Sequence, residues 1–258
     1  SYTGNKRREM CEIYPKLNLD NVKIVVEPFA GSCAMSYDIW TKNKDKNYQY
    51  ILNDLDPFLF KLYTISKEHD KQIEIEKIMS DLTDKFNTFK TMDDRKEWYD
   101  SLKKDSTFEN ELFMFRHYTM IPRLCPSFTR TKKIPEKKKF KFSNFKIFEF
   151  FNNANIEFSN KDGAEIYDKF RSNQEAIILL DPSYILSDVS HCQNSSGIKI
   201  FEYLAENKIE DEPAKIYLIV EFTWIMKLLF KNSLIHQYSK KYEQKHYKTI
   251  HGIFSNIH

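Results

Sequence analysis

The chain reads as an α/β protein built on a mainly parallel sheet, and three segments carry that reading. Ala176-Ile-Ile-Leu-Leu180 is an apolar run cut off by Asp181-Pro182-Ser183-Tyr184. A run of that length bounded by Pro reads as a strand buried on both faces, the kind a parallel sheet contains. Lys23-Ile-Val-Val-Glu27 is a β-branched strand followed by a turn with Gly31 and by a helix predicted from Ala34 to Lys42. Tyr50-Ile-Leu-Asn-Asp54-Leu-Asp56 is a further strand that ends in acids. Strand, turn and helix in that succession are the units of a parallel sheet covered by helices.

In chain order, Tyr2 to Ser66 holds the first of these units. Asp70 to Lys104 is charged and reads as helical, with Ile73, Ile75, Ile78, Met79, Leu82 and Phe86 as its apolar stripe. Glu109 to Met120 is a second helical stretch, broken at Ile121-Pro-Arg-Leu-Cys-Pro126 because each Pro disfavours helix in the residue before it. Ser127 to Lys141 is basic and reads as an exposed loop. The α/β pattern then resumes with a helix from Phe145, a strand at Ile156, a helix from Ala164 to Arg171 and the strand Ala176–Leu180. Lys215 to Phe222 is another strand, followed by an apolar helix through Phe230. An α/β pattern interrupted after its second strand is how an inserted domain looks. The expected division is residues 1–66 and 143–258 for the sheet-bearing domain, with 67–142 inserted.

Composition sets bounds. The 258 residues, 41% hydrophobic and 15% aromatic, suffice for one large domain and a small one and argue against global disorder. A net charge of +3 does not by itself diagnose a nucleic-acid partner. The distribution says more: Arg130, Lys132, Lys133, Lys137, Lys138, Lys139 and Lys141 crowd one segment around a single acid, Glu136. Cys11, Cys33, Cys125 and Cys192 are scattered and read as reduced thiols of an intracellular protein, with no metal site expected. No apolar run approaches the ~18 residues of a membrane span, so no membrane partner is expected.

The three strand ends suggest chemistry. Open α/β sheets bind ligands beyond the carboxyl ends of their strands. There Asp181 offers an acceptor carboxylate and Tyr184 a flat ring, suited to a planar group bearing an amine. Gly31 is the only glycine of its turn, which argues against a pyrophosphate and for a smaller, nucleoside-like ligand. Asp54, roughly twenty residues further on, is placed to take ribose hydroxyls. Each feature also has a plainer reading. Asp181-Pro182 can simply end a strand, Phe29 can belong to the core, Asp54 can cap the next helix, and Lys6-Arg7-Arg8 can be a solvated tail.

Taken in order, these motifs resemble those of Dam-type (alpha-group) DNA adenine-N6 methyltransferases, with a viral or phage source among the expectations. Tyr2-Thr-Gly-Asn-Lys6 resembles the family's N-terminal motif, Glu27-Pro-Phe-Ala-Gly-Ser32 its cofactor loop, and Asp181-Pro-Ser-Tyr184 its catalytic Asp-Pro-Pro-Tyr. Ile156 to Asp162 falls where the family surrounds the cofactor's adenine, and Tyr247 to Asn256 is similar to its last strand pair. Two departures stand out: Ser183 replaces the second proline of the catalytic motif, and Cys33 the second glycine of the cofactor loop.

The resemblance implies a Rossmann-like S-adenosylmethionine-dependent methyltransferase sheet with a mostly helical inserted target-recognition domain. It implies Asp181, Pro182 and Tyr184 as catalytic, and Tyr2, Lys6, Glu27, Phe29, Gly31, Ser32, Asp54, Phe158 and Asp162 as cofactor-binding, with Lys6 on the methionine carboxylate. The expected substrate is an adenine flipped out of double-stranded DNA. Arg116, Arg123 and Arg130 are candidate guanine readers and Lys132 and Lys133 phosphate contacts; a homodimer stays open. Two other readings stand beside it: a catalytically impaired pseudoenzyme that binds cofactor and nucleic acid, motivated by Ser183 and Cys33, and an adenine-N6 methyltransferase acting on RNA.

Overall fold

The computed structural model describes residues 6–102, 140–182, 196–206, 209–241 and 248–257. Tyr2, Tyr184, Arg116, Arg123, Arg130, Lys132 and Lys133 lie outside the described residues, as do the helix expected over 109–120 and nearly all of the basic loop. The chain divides into two compact units, one formed by Lys61–Asn153 and one by Lys6–Phe60 with Ala154–His258. The smaller unit thus begins earlier and ends later than the expected insertion over 67–142.

The larger unit is a seven-stranded sheet in the order β3-β2-β1-β4-β5-β7-β6. Its strands are β1 (Ile24–Glu27), β2 (Gln49–Asn53), β3 (Asn155–Ser159), β4 (Ala176–Leu180), β5 (Lys215–Glu221), β6 (Leu234–Lys241) and β7 (Lys248–Ser255). The first five pair in parallel, and β7 runs antiparallel to both β5 and β6. All five residues of β4 are fully buried, as its unbroken apolar run requires for a central parallel strand. A core of Val26, Ile51, Ile178, Leu180, Ile216 and Leu218 on the sheet is covered by Ile166, Tyr167 and Phe170 from the Gly163–Phe170 helix and by Ile200, Phe201 and Leu204 from Ser196–Glu206. The helix predicted over Ala34–Lys42 forms at those residues.

The chain leaves β1 toward β2 and β3 on one side and returns to β4 on the other. The gap between the ends of β1 and β4 is thus a topological switch point, where such sheets form their binding crevice. No helix among the described residues is long and apolar enough to cross a membrane.

The smaller unit corrects one expectation. The single charged helical stretch over 70–104 is two helices, His69–Thr88 and Met92–Leu102. Thr91 explains the break: its hydroxyl accepts from the Asp94 backbone N–H at 3.2 Å, an N-cap that starts a new helix. The Arg95 guanidinium then donates to the Phe89 carbonyl at 3.0 Å and lies over the Phe86 ring, closing the first helix. Ile75, Met79, Leu82 and Phe86 form the buried stripe at helical spacing, whereas Ile73 points to solvent at 56% exposure. Phe140, Phe142, Phe148 and Phe151 add a chain of packed rings at 4.7–5.9 Å centroid separation.

Candidate active site

Three strand ends meet at the switch point. β1 delivers Glu27 and the loop Pro28–Cys33, β2 delivers Asn53 and Asp54, and β4 delivers Asp181 and Pro182. The register pairs Val26 with both Ile51 and Ile178, so the three ends lie level.

The β1 loop folds back sharply because Gly31 and Cys33 both take left-handed backbone angles, φ 51° and 53°. Gly31 does so without a Cβ penalty. Cys33, standing where the resemblance expects a glycine, holds that conformation as a fully buried residue at the start of the Ala34–Lys42 helix. The loop is fastened at two points: the Ala30 N–H donates to the Asn53 carbonyl at 2.8 Å, and the Gly31 N–H to Asp54 Oδ2 at 2.8 Å.

Asp54 therefore organises the loop after β1 rather than the next helix. Its Oδ1 accepts from the Asp56 N–H at 2.9 Å, and Asp56 in turn caps the Pro57–Ile65 helix by accepting from Phe58 at 2.8 Å. Burial pushes the half-buried Asp54 carboxyl up to about 6, against the pull of those two backbone donors.

Asn53 belongs to the site although no motif marks it as a site residue. Fully buried, it donates to the Pro28 and Lys161 carbonyls, both at 2.9 Å, and accepts from the Ser159 hydroxyl at 2.8 Å and the Lys161 N–H at 2.9 Å. It thus joins the loops after β1, β2 and β3 in one knot. Asn53→Ala leaves several of these groups buried without partners and should lower stability by about 3 kcal/mol, measured by urea unfolding.

Asp181 sits beside Lys6. The Lys6 ammonium, 3% exposed, is 2.6 Å from Asp181 Oδ1, whose side chain keeps 17% exposure. Burial raises the Asp181 carboxyl from its ordinary value and the Lys6 charge opposes that shift. The ammonium expected on the methionine carboxylate is therefore engaged with Asp181. Glu27, buried behind this pair, accepts from the Ser36 N–H at 2.6 Å in the first turn of the Ala34–Lys42 helix. Burial pushes it up to about 7, with the nearby Asp181 charge acting in the same direction.

On the other flank, the Phe29 ring lies against Gly163: a Cβ added there would stand 2.5 Å from two ring carbons. Asp162 caps that helix by accepting from the Ala164 N–H at 2.9 Å, and its second oxygen is 3.2 Å from Lys199 Nζ. Phe158 is half-buried near the end of β3, and Ser32 half-buried in the loop. Acid, ring and loop residues from three strand ends suit a nucleoside-bearing ligand. Among the described residues no group of His, Cys, Asp and Glu is placed to hold a metal ion.

No curated protein matches the chain in sequence comparison. A family model does: that of the D12 class N6 adenine-specific DNA methyltransferases matches residues 2–206, which takes in Lys6, the Glu27–Ser32 loop, Asp54, Phe158, Asp162 and Asp181-Pro182. With most of the chain matched and the strand ends of a Rossmann-like sheet brought together, this chain belongs to the D12 class N6 adenine-specific DNA methyltransferases, S-adenosylmethionine-dependent enzymes that methylate adenine in DNA.

Proposed function

We propose that the crevice between β1 and β4 is where this enzyme modifies a flipped-out adenine of double-stranded DNA, with the roles divided among the three strand ends. The meeting of Asp181, Glu27 and Asp54 at one switch point, with Lys6 on Asp181, is the observation that carries this reading. Asp54 and the Gly31–Ser32 backbone hold the ribose side of S-adenosylmethionine, Phe29, Phe158 and Asp162 flank its adenine, and Glu27 supports the loop from behind. When bound, the cofactor supplies a methyl group on a sulfonium centre.

The chain's own contribution is acceptance and orientation. The exocyclic amine of adenine is a poor nucleophile because its lone pair is delocalised into the ring. The Asp181 carboxylate and the Pro182 carbonyl accept its hydrogens and stabilise positive charge growing on the nitrogen. Holding the amine in line supplies much of the remaining acceleration. Flipping the base costs a few kcal/mol, and stacking on Tyr184 returns ~1–3 kcal/mol. Ser183 replaces a proline of the motif but leaves both acceptor residues, Asp181 and Pro182, in the sequence, which favours an active enzyme over an impaired one.

The inserted unit is assigned to target recognition. Within it Arg116, Arg123 and Arg130 read guanines, and the run from Arg130 to Lys141, with Lys132 and Lys133, contacts phosphates. Such an enzyme works inside the cell that holds its DNA.

Calorimetric titration of S-adenosylhomocysteine checks the cofactor assignments. Asp54→Ala, which removes the ribose acceptor and unfastens Gly31, should weaken binding by at least about tenfold. Gly163→Ala, which drives the Phe29 ring off its seat, should weaken it in the same direction at a stability cost of roughly 1–3 kcal/mol. Unchanged affinity in both variants would contradict this placement of the cofactor.

A further inference from the structure

The Lys6–Asp181 pair is held from behind by a buried cluster that joins the two ends of the chain. Glu9 lies one turn after Lys6, and its backbone N–H donates to the Lys6 carbonyl at 2.8 Å. Its Oε1 is 2.6 Å from Lys240 Nζ. Its Oε2 accepts from the Tyr238 hydroxyl at 2.7 Å and lies 3.3 Å from His251 Nδ1. The β6–β7 register places Tyr238 opposite His251, their rings 5.6 Å apart, and Lys240 two residues on, along the same face of β6. A second contact, His236 Nε2 to Glu12 Oε2 at 3.1 Å, fastens the same hairpin to the next turn of the N-terminal segment.

The charges alternate. Lys6 from the N-terminal turn faces Asp181 from the end of β4; Glu9 faces Lys240 and Tyr238 from β6 and His251 from β7. A carboxylate this buried is kept only with partners around it. Burial alone would push Glu9 up, but the His251 imidazole 3.3 Å away and the Lys6 and Lys240 charges outweigh it and hold the group at about 2. Glu9 thus feels the charges of both Lys6 and Lys240, while the Lys6 ammonium itself lies on Asp181. The gripping residues Tyr238, Lys240 and His251 all lie beyond the 2–206 stretch that the family model matches.

We propose that Glu9, gripped by Tyr238, Lys240 and His251, is a positioning residue that fixes the turn carrying Lys6 and so keeps the Asp181 carboxylate in one orientation toward the substrate amine. This rests on the reading of Asp181 as the acid that holds the amine. The edge hairpin β6–β7 on this account serves catalysis through Glu9 and the turn that carries Lys6.

The test compares wild type with Glu9→Gln, Glu9→Asp and the milder Tyr238→Phe. Two readouts are taken on variants whose thermal midpoints show them folded: acetic anhydride labelling of Lys6 followed by mass spectrometry, with exposed Lys23 as internal reference, and kcat and KM for methyl transfer to DNA. In Glu9→Gln, Lys6 labelling should rise roughly tenfold as its turn opens. There kcat should fall about tenfold or more, with the cofactor KM within about twofold. Glu9→Asp should restore part of both, and Tyr238→Phe should shift both the same way by less. Lys6 labelling and kcat within about twofold of wild type in Glu9→Gln, or in Tyr238→Phe should Glu9→Gln not fold, would overturn the proposal. A wild type that transfers no methyl group to DNA would instead overturn the role given to Asp181, while the labelling arm still decides whether Glu9 holds Lys6.

Discussion

Asp181→Asn should reduce methyl transfer to DNA by about 10²–10³-fold while leaving S-adenosylhomocysteine affinity within a few-fold of wild type. The magnitude is that of removing one preorganised group aimed at charge developing in a transition state. Asparagine keeps the shape and one acceptor oxygen but loses the negative charge, so the loss should fall on kcat rather than on KM. The same substitution leaves the Lys6 ammonium, 3% exposed, without the carboxylate 2.6 Å away. A buried cation that loses its partner destabilises the fold, so the variant should also unfold at lower urea. Equal kcat in wild type and Asp181→Asn would place the chemistry elsewhere.

The second large effect is on stability against pH. Glu27 is raised from 4.5 to about 7 and Asp54 from 3.8 to about 6, both chiefly by burial, and Asp181 is raised as well. In the unfolded chain these groups ionise near their ordinary values, while the folded protein keeps the protons. Their contribution is therefore fully present below about pH 4 and lost as pH rises through about 6 to 7. At 1.36 kcal/mol per pKa unit, Glu27 alone accounts for roughly 3 kcal/mol. Glu9, held at about 2, acts with the opposite sign, and its contribution is lost only as pH falls below 4.5. The urea midpoint of the cofactor-free protein should thus fall between pH 5 and pH 7.5. Glu27→Gln should remove a large share of that fall, because it cannot ionise. A midpoint that rises across this interval, or a slope unchanged in the variant, would contradict the burial assigned to Glu27.

What could be read from residues alone follows physical range. β4 and β5 are apolar runs bounded by breakers, and the Ala34–Lys42 helix lies between a glycine turn and a lysine-rich end; local sequence suffices for these. β6 is polar along much of Leu234–Lys241 and becomes a strand through its pairing with β7, so it carried no local signal. The break at Thr91 is different, because a cap is a local signal and this one lies wholly within Thr91 to Asp94.

The site divides in the same way. Asp54, Glu27 and Asp181 stand at strand ends, where α/β sheets carry their chemistry, and the motifs marked them. Asn53 was hidden because its four bonds exist only once three loops converge. His251 and Lys240 were hidden because their partner, Glu9, lies over 200 residues away in the chain. The exchange of roles between Asp54 and Asp56 shows the limit most plainly. Two acids two residues apart look equally fit to cap a helix, and only the folded loop decides that Asp56 caps and Asp54 holds Gly31.

The central claim is that the β1–β4 crevice methylates adenine in DNA through Asp181. The most direct measurement is transfer of labelled methyl from S-adenosylmethionine to unmethylated duplex DNA of mixed sequence, with nucleoside analysis of the product and Asp181→Asn alongside. The account predicts label in N6-methyladenine for wild type and its near-complete loss in the variant. Label in another nucleoside, or equal label from both proteins, would contradict it.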